Sequence, residues 1–141
     1  EVEGEGLSAK DKLFDPSFNL ALGQKYVQHL AGLPRIGDNL MLLLAAYNGG
    51  PGKVSRWMGD GTGRQEKLAQ DPLLFMESLP SRETRNYIAR VLPHYWGYQE
   101  RLAQPRTTLK QLAEGRWPRV NVTEAQQAET GAAAAIKLAS N

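Results

Sequence analysis

The chain has 141 residues, of which 41% are hydrophobic and 23% are charged, and its net charge is +2. These values are typical of one globular domain with a modest core and argue against an intrinsically disordered chain. The chain contains no cysteine, which excludes disulfides and cysteine-ligated metal sites. The longest apolar run, Leu40–Tyr47, is far shorter than the roughly 18–20 residues that a membrane span requires.

The distribution of charged side chains argues against nucleic-acid and metal binding. Nucleic-acid-binding domains usually present a clustered basic stripe, whereas Arg82, Arg85 and Arg90 are interrupted by acidic and apolar residues. The two histidines of the chain are too few and too far apart in sequence to indicate a metal site.

The first part of the chain predicts two helices after a polar lead-in, residues 1–12. Asp15-Pro16 is a helix start signal, because Asp accepts hydrogen bonds from free backbone N–H groups and Pro suits the first helical turn. A second helix, Asn39–Asn48, follows with Asp38 as its predicted N-cap, and its apolar residues on all sides predict a central, buried position. In the first helix apolar residues recur at the spacing of one helical face, at Phe18, Leu22, Tyr26, Leu30 and Leu33.

The middle of the chain predicts two short helices separated by a loop. The glycine-rich run Gly49–Gly52 stops the second helix, and Pro51 within it suits the start of a short helix ending at Met58. Three glycines among polar neighbours predict a loop over residues 59–70. Asp71-Pro72 then repeats the helix start signal, and the apolar run that follows, Leu73–Met76, predicts a short buried helix.

The last part of the chain predicts a long helix, a short helix and a tail. The long helix, Arg82–Ala103, contains Pro93, whose missing N–H predicts a kink. A short helix, Thr108–Glu114, follows, and after Pro118 the alanine-rich composition predicts a weakly ordered tail. Because no alternating strand pattern occurs, the chain is predicted to be all-α. One face of the long helix is predicted to be apolar, at Tyr87, Val91, Tyr95, Tyr98 and Leu102.

Three segments, taken together and in order, resemble the soluble lytic transglycosylase family. They are Leu13–Pro16 with Asn19 and Gly23, Ala46–Val54 with Trp57, and Glu77–Pro80 with Glu83–Tyr87 and Tyr95. The resemblance implies a lysozyme-like helical domain, of which this chain is the C-terminal portion. We expect a flexible lead-in over residues 1–12, the helical core over residues 13–104 and a C-terminal extension over residues 105–141. Gly49 stands where the family usually has Ala, which adds backbone freedom after the buried helix.

The resemblance implies an enzyme that cleaves the β-1,4 bond between N-acetylmuramic acid and N-acetylglucosamine and forms 1,6-anhydromuramic acid. In this family one Glu acts as acid and then as base, without a metal or an organic cofactor. That Glu, in a Glu-Ser pair followed by Gly-Leu-Met-Gln, should precede Leu13, and residues 1–12 do not contain it. We therefore expect residues 1–141 alone to be inactive. Glu77-Ser78 is also a Glu-Ser pair, but its neighbours match the third segment, so it is not assigned the catalytic role.

Five site residues follow from the resemblance, and each has a structural alternative. Tyr47 would hold the catalytic Glu through its hydroxyl, or be a core tyrosine bonded to a backbone carbonyl. Asn48 would bind the glycan or cap the end of its helix. Glu83 would bind sugar hydroxyls or the stem peptide, although its charge also favours a helix start. Arg85 would contact a peptide carboxylate or lie on a solvated face, and Tyr87 would line the groove or join the core.

Two other kinds of function stay open from the sequence. The chain is either a non-catalytic piece that binds glycan or packs to complete a site on another segment, or a helical interaction module with chance motif similarity. The interaction module would show a large exposed apolar face and no concave groove. Trp57, near the glycine turn, is the best candidate for stacking on a sugar. For an enzyme of this family, the partner is a peptidoglycan strand and the expected location is the periplasm or cell envelope.

Overall fold

The computed structural model describes residues 12–59 and 63–120 of the protein. Within this part the chain forms seven helices and one isolated bridge between two extended residues, so the predicted all-α fold is confirmed there. None of these seven helices combines the length and the apolar character that crossing a bilayer requires. The helices are α1 (Pro16–Ala31), α2 (Leu40–Gly49), α3 (Pro51–Met58), α4 (Arg64–Gln70), α5 (Pro72–Ser78), α6 (Arg82–Arg101) and α7 (Thr107–Ala113). The predicted lead-in, apart from its last residue, and the tail from residue 121 lie outside the described residues.

Helix α2 lies at the centre of the fold. Its residues Leu40–Leu43, Ala45 and Ala46 are buried, and it packs against α1, α3 and α6. A helix that is apolar on all sides is stable in water only when neighbours surround it, as they do here. The predicted central position of this helix is confirmed. The core continues through the neighbouring helices and turns with Leu30, Ile36, Val54, Phe75, Leu79, Ile88 and Leu92.

The N-cap of α2 is one residue later than predicted. The side-chain oxygen of Asn39, not that of Asp38, accepts hydrogen bonds from two backbone N–H groups of the first turn, at 3.2 Å each. Asp38 instead forms an ion pair with Arg119. Two backbone hydrogen bonds of 2.8 Å between residues 38–40 and residues 118–120 hold this pair together. The backbone pairing, which a local sequence pattern does not reveal, therefore takes Asp38 away from the helix.

We expect Asn39→Ala to lower the free energy of unfolding by about 1–2 kcal/mol, because two N–H groups at a buried helix start lose their acceptor. The matched control, Asp38→Ala, should cost about 0.5 kcal/mol or less, since its ion pair with Arg119 is more than half exposed. Urea denaturation of both variants and the wild type measures the difference. An equal or larger loss in the Asp38 variant would restore Asp38 as the cap.

Helix α1 begins as predicted, but the structure covers its apolar face only in part. Asp15 accepts hydrogen bonds from two backbone N–H groups of the first turn, at 2.8 and 3.1 Å. Leu30 is fully buried and Leu33 is half-buried. The chief described neighbour of α1 is α2, whose 10 residues span about 15 Å against about 24 Å for the 16 residues of α1. The rest of the predicted stripe is therefore still 43%, 45% and 38% exposed, at Phe18, Leu22 and Tyr26.

Helix α4 occupies most of the stretch that was predicted to be a loop. Gly63, with φ at +57°, precedes the helix, and the residues after it are strong helix formers. Leu68 of this helix is buried, and the helix packs against α3 and α5. The loop prediction for residues 59–70 was wrong because the glycines interrupt only the beginning of that stretch.

Helix α5 confirms the second Asp-Pro signal. Asp71 accepts hydrogen bonds from the first-turn N–H groups at 2.9 and 3.0 Å. The predicted burial of the whole run Leu73–Met76 is wrong, since Phe75 is buried but Leu73 and Leu74 are 52% and 40% exposed. When a single helical turn packs on a core, only about one of its four side chains can point directly into the core.

Helix α6 buries a different stripe from the one predicted. Thr84, Ile88 and Leu92 face the core, whereas Tyr98 and Leu102 of the predicted stripe are 61% and 65% exposed. The other predicted positions, residues 87, 91 and 95, are half-buried beside the true stripe. The 20 residues of α6 span about 30 Å, twice the length of α2, so α2 cannot cover the C-terminal end of α6. The helix continues through Pro93 without ending.

The chain after α6 packs back onto the core. Trp96 Nε1 donates to Oγ1 of the buried Thr108 at 2.9 Å. Trp117 Nε1 donates to the carbonyl of Ala69 at 2.8 Å, and its ring centroid lies 5.4 Å from that of Phe75. The predicted short helix is present as α7, shifted by one residue. The division into a core and an extension after residue 104 stays a prediction.

Candidate functional site

Three tyrosines from three helices meet at the C-terminal end of α2. The Tyr47 ring lies between Tyr26 of α1, at a centroid distance of 5.5 Å, and Tyr87 of α6, at 6.4 Å with the two planes only 7° apart. The Tyr47 hydroxyl reaches α1 at Gly23, where a Cβ atom would be 3.4 Å from it. Although its ring is held on both sides, Tyr47 is 41% exposed. Tyr47 is therefore a surface side chain whose ring is fixed by two neighbouring rings, rather than a core tyrosine.

A hydrogen-bond network joins the end of α2 to the first turn of α6. Asn48 Nδ2 donates to Glu83 Oε1 over a long 3.4 Å, and Asn48 Oδ1 accepts from Thr84 Oγ1 at 2.8 Å. Glu83 is exposed and Asn48 is half-buried. Four of the five predicted residues, Tyr47, Asn48, Glu83 and Tyr87, therefore lie together on one surface.

The glycine turn after α2 makes this close approach possible. Gly50 has φ at +90°, which favours glycine, and α3 starts directly after it. A Cβ atom at Gly49 would lie 3.1 Å from Trp57 Cη2 and 3.3 Å from Thr84 Oγ1. The missing side chain of Gly49 thus lets the Trp57 ring and the Thr84 hydroxyl approach the backbone. An alanine at this position would require the Trp57 ring and the Thr84 hydroxyl to shift by a few tenths of an ångström.

Arg85, the fifth predicted residue, is held differently. Its Nη1 donates to the backbone carbonyl of Leu79, at the C-terminal end of α5, and the residue is half-buried. One part of the guanidinium therefore stabilises the turn between α5 and α6. Its contact with a substrate carboxylate stays a prediction.

The other aromatic and acidic candidates have different surroundings. The half-buried Trp57, the candidate for stacking on a sugar, packs against the core, as do Tyr95 and Trp96. Tyr98, predicted to lie on the apolar face of α6, is exposed, with the Arg101 guanidinium carbon 5.9 Å from its ring centroid. Glu77 is exposed on α5.

The chain is similar in sequence to proteins of a known family. The family model of the transglycosylase SLT domain matches residues 2–70. The soluble lytic murein transglycosylase of Escherichia coli (strain K12) is 34% identical over 111 residues, which are 79% of this chain and 16% of that protein. The protein of the same name from Salmonella typhimurium (strain LT2) is 32% identical over 108 residues, which are 77% of this chain and 15% of that protein.

The chain belongs to the SLT-domain family. The resemblance drawn from three sequence segments is thereby confirmed, and the all-α architecture agrees with the lysozyme-like domain that it implied. The chain spans about one-sixth of the length of these relatives. No solved structure matches it significantly.

Two further residues join the candidate site of this SLT domain. Tyr26 belongs to the predicted apolar face of α1, and its helical spacing does not indicate a contact with Tyr47. Thr84 had no predicted role, although it is the most buried polar residue of the described part, with 1% of its surface exposed. The signal that was available for Thr84 is its position three residues after Ser81, which caps α6 by accepting from the Thr84 N–H at 3.2 Å.

The environment of two tyrosines in this SLT domain favours the neutral phenol. Burial, and to a smaller extent the neighbouring Tyr47, raises the pKa of Tyr87 above its usual value of 10.0. Burial alone raises the pKa of Tyr95. A tyrosine whose pKa is higher in the folded state than in the unfolded state stabilises the folded protein below about pH 10. This stabilisation is lost as the pH rises through the folded-state pKa.

We therefore expect part of the tyrosine absorbance change to occur at higher pH in the folded protein than in urea. The Tyr87→Phe variant should remove one of the late-ionising phenols from the folded protein. An ultraviolet titration in alkali measures both effects. Coincident curves for folded and unfolded protein would contradict the burial of these phenols.

Proposed function

We propose that this SLT domain forms one wall of the glycan-binding cleft of a peptidoglycan lytic transglycosylase. The supporting observation is the shared surface at the ends of α2 and α6, where the Tyr47 ring is parallel to that of Tyr87 and Asn48 bonds Glu83. Aromatic rings beside a carboxylate and an amide are suited to a sugar, which presents apolar ring faces and hydroxyl groups. The substrate is a strand of alternating N-acetylglucosamine and N-acetylmuramic acid.

The proposed reaction is intramolecular transglycosylation. A carboxylic acid protonates the bridging oxygen as the bond from the muramic acid C1 breaks. The C6 hydroxyl of the same sugar then forms the new bond to C1, and the carboxylate accepts the hydroxyl proton. This gives a 1,6-anhydromuramic end and a free N-acetylglucosamine 4-hydroxyl, and one glutamate serves both steps.

Each candidate residue has a separate task in this proposal. The Tyr47 hydroxyl bonds the catalytic Glu and fixes its direction. Asn48 and Glu83 bind sugar hydroxyls or the stem peptide, and Tyr87 lines the cleft beneath Tyr47. Arg85, which already bonds a backbone carbonyl, keeps N–H groups for a peptide carboxylate. The proposed location is the periplasm or the cell envelope, where the strand occurs.

Retention on insoluble peptidoglycan tests the binding part of the proposal. Residues 1–141 should sediment with peptidoglycan, and both Tyr47→Ala and Glu83→Ala should reduce the retained fraction several-fold. The matched controls are Tyr98→Ala and Glu100→Ala, the same residue types at the exposed far end of α6, and they should be retained like the wild type. Retention unchanged by the first two variants would overturn the proposed cleft.

We further expect residues 1–141 alone to release no anhydromuropeptides, because no Glu-Ser pair followed by Gly-Leu-Met-Gln occurs in the sequence. Mass spectrometry of the soluble products from peptidoglycan measures this directly. Release of anhydromuropeptides by the purified chain would contradict the expectation and direct attention to Glu77 and Glu83.

A second candidate role, non-catalytic binding or packing, has one observation in its favour. The first residues of α1 and the turn before it expose apolar side chains at four-residue spacing, with Phe14 at 85%, Phe18 at 43% and Leu22 at 45%. Such a face is typical of a surface that packs against another protein segment. Retention on peptidoglycan that is lost in Phe14→Ser but unaffected by Tyr47→Ala and Glu83→Ala would favour this role over the enzyme cleft.

A further inference from the structure

We infer that Thr84 is a positioning residue, whose buried hydroxyl orients the Asn48 amide so that its NH2 group faces Glu83. This inference rests on the proposed function, because it takes Asn48 and Glu83 as residues that contact the glycan. The juxtaposition that supports it crosses two helices, since Thr84 and Asn48 are 36 residues apart in sequence.

The direction of each hydrogen bond in the network follows from what its groups can donate. An ionised carboxylate only accepts, so the group of Asn48 that faces Glu83 must be the NH2 group. The Asn48 carbonyl oxygen then has to accept from its other neighbour, and Thr84 Oγ1 is 2.8 Å away. The Thr84 proton is therefore committed to Asn48.

Ser81 completes the network from the other side. Its hydroxyl oxygen lies 3.0 Å from Thr84 Oγ1 and accepts from the Thr84 backbone N–H as the N-cap of α6. Because the single hydroxyl proton of Thr84 is in the hydrogen bond to Asn48, the Ser81 hydroxyl is the donor in its contact with Thr84 Oγ1. The hydrogen bonds thus run in one direction, from Ser81 through Thr84 and Asn48 to Glu83, and each polarises the next.

Burial makes this arrangement specific to a hydroxyl. Thr84 is 1% exposed, so water cannot readily replace its proton at Asn48 if the hydroxyl is removed. The Asn48 amide would then lose the partner of its oxygen and be held only by its 3.4 Å hydrogen bond to Glu83, which is too long to fix the side chain alone. Thr84 therefore acts on the glycan only through Asn48 and Glu83.

The test compares Thr84→Val, which keeps the shape but removes the hydroxyl, with Thr84→Ser, which keeps the hydroxyl. Proton NMR of residues 1–141 reports whether the Asn48 side-chain NH2 protons contact the Glu83 side chain. We expect the contact in the wild type and in the serine variant, and its loss in the valine variant. Affinity for an N-acetylglucosamine trimer should fall about five- to tenfold with valine and stay within about twofold with serine.

The two readouts separate the possible failures. A wild type that does not bind the trimer would contradict the proposed function, while the Asn48 contact would still decide the role of Thr84. A valine variant that keeps the contact and the affinity would overturn the inference. So would a serine variant that behaves like the valine variant, because the methyl group would then be the important part. If the valine variant does not fold, absence of the Asn48–Glu83 contact in the wild type overturns the inference and its presence supports it.

Discussion

Replacing Phe75 with alanine should lower the free energy of unfolding by about 3–5 kcal/mol. Phe75 is 1% exposed in the core, and its ring lies 5.4 Å from that of Trp117 at an angle of 58°. Alanine would remove most of the buried ring and leave a cavity beneath Trp117, because the surrounding helices can relax only in part. A domain of this size is typically stable by about 5–15 kcal/mol, so the loss is a large fraction of the total.

Leu74→Ala is the matched control, since Leu74 is the adjacent residue of α5 and is 40% exposed. Its loss should be much smaller, about 1 kcal/mol or less, because little cavity forms at a partly solvated position. Guanidinium denaturation followed by tryptophan fluorescence measures both variants. Similar losses in the two variants would mean that α5 does not turn Phe75 toward the core.

Replacing Tyr47 with phenylalanine should reduce turnover about 10- to 150-fold in a longer polypeptide that carries the family's Glu-Ser segment. The expected size is that of one hydrogen bond to a charged group, about 1.5–3 kcal/mol. The ring is retained, so the contacts with Tyr26 and Tyr87 at 5.5 and 6.4 Å persist. The loss should therefore appear in kcat rather than in KM, and the melting temperature should change little.

The control for Tyr47→Phe is Tyr98→Phe, which removes a hydroxyl from an exposed tyrosine at the other end of α6. It should leave kcat and KM unchanged. Release of anhydromuropeptides as a function of substrate concentration, together with thermal unfolding, gives all three quantities. A Tyr47 variant with wild-type kcat would show that Tyr47 has no catalytic role. A loss of kcat that is accompanied by a lower melting temperature would show that its role is structural.

The sequence predicted the helices where a local signal exists. Asp15-Pro16 and Asp71-Pro72 mark helix starts because the cap and the first turn are made by neighbouring residues. The apolar run of α2 likewise needed no knowledge of its neighbours. The loop prediction for residues 59–70 was wrong because glycine occurs both in loops and just before helices. The strong helix formers after Gly63 determine that a helix follows.

The sequence was less informative about which face of a helix is covered. Tyr98 has the same spacing as Tyr87 and Tyr95, yet it is 61% exposed because α2 is too short to reach it. Periodicity defines a face of α6 but not the length of the helix that packs on it. The choice of the stripe through Ile88 was therefore a matter of tertiary packing.

The candidate site divides in the same way. Tyr47 and Asn48 are neighbours in sequence, and Glu83 and Tyr87 are one helical turn apart, so motif and spacing grouped them in two pairs. The contact between the pairs, and the part that Thr84 takes in it, depends on how α2 and α6 cross. That crossing is visible only in three dimensions.

We propose that the C-terminal end of α2 and the N-terminal part of α6 form one glycan-contacting surface. Titration of labelled residues 1–141 with an N-acetylglucosamine trimer, followed by NMR, tests it most directly. We predict concentration-dependent shifts confined to Tyr47, Asn48, Glu83, Tyr87 and their immediate neighbours. Shifts centred instead on Tyr98, which lies about 20 Å from Glu83 along the axis of α6, would contradict this proposal. So would the absence of shifts at millimolar trimer.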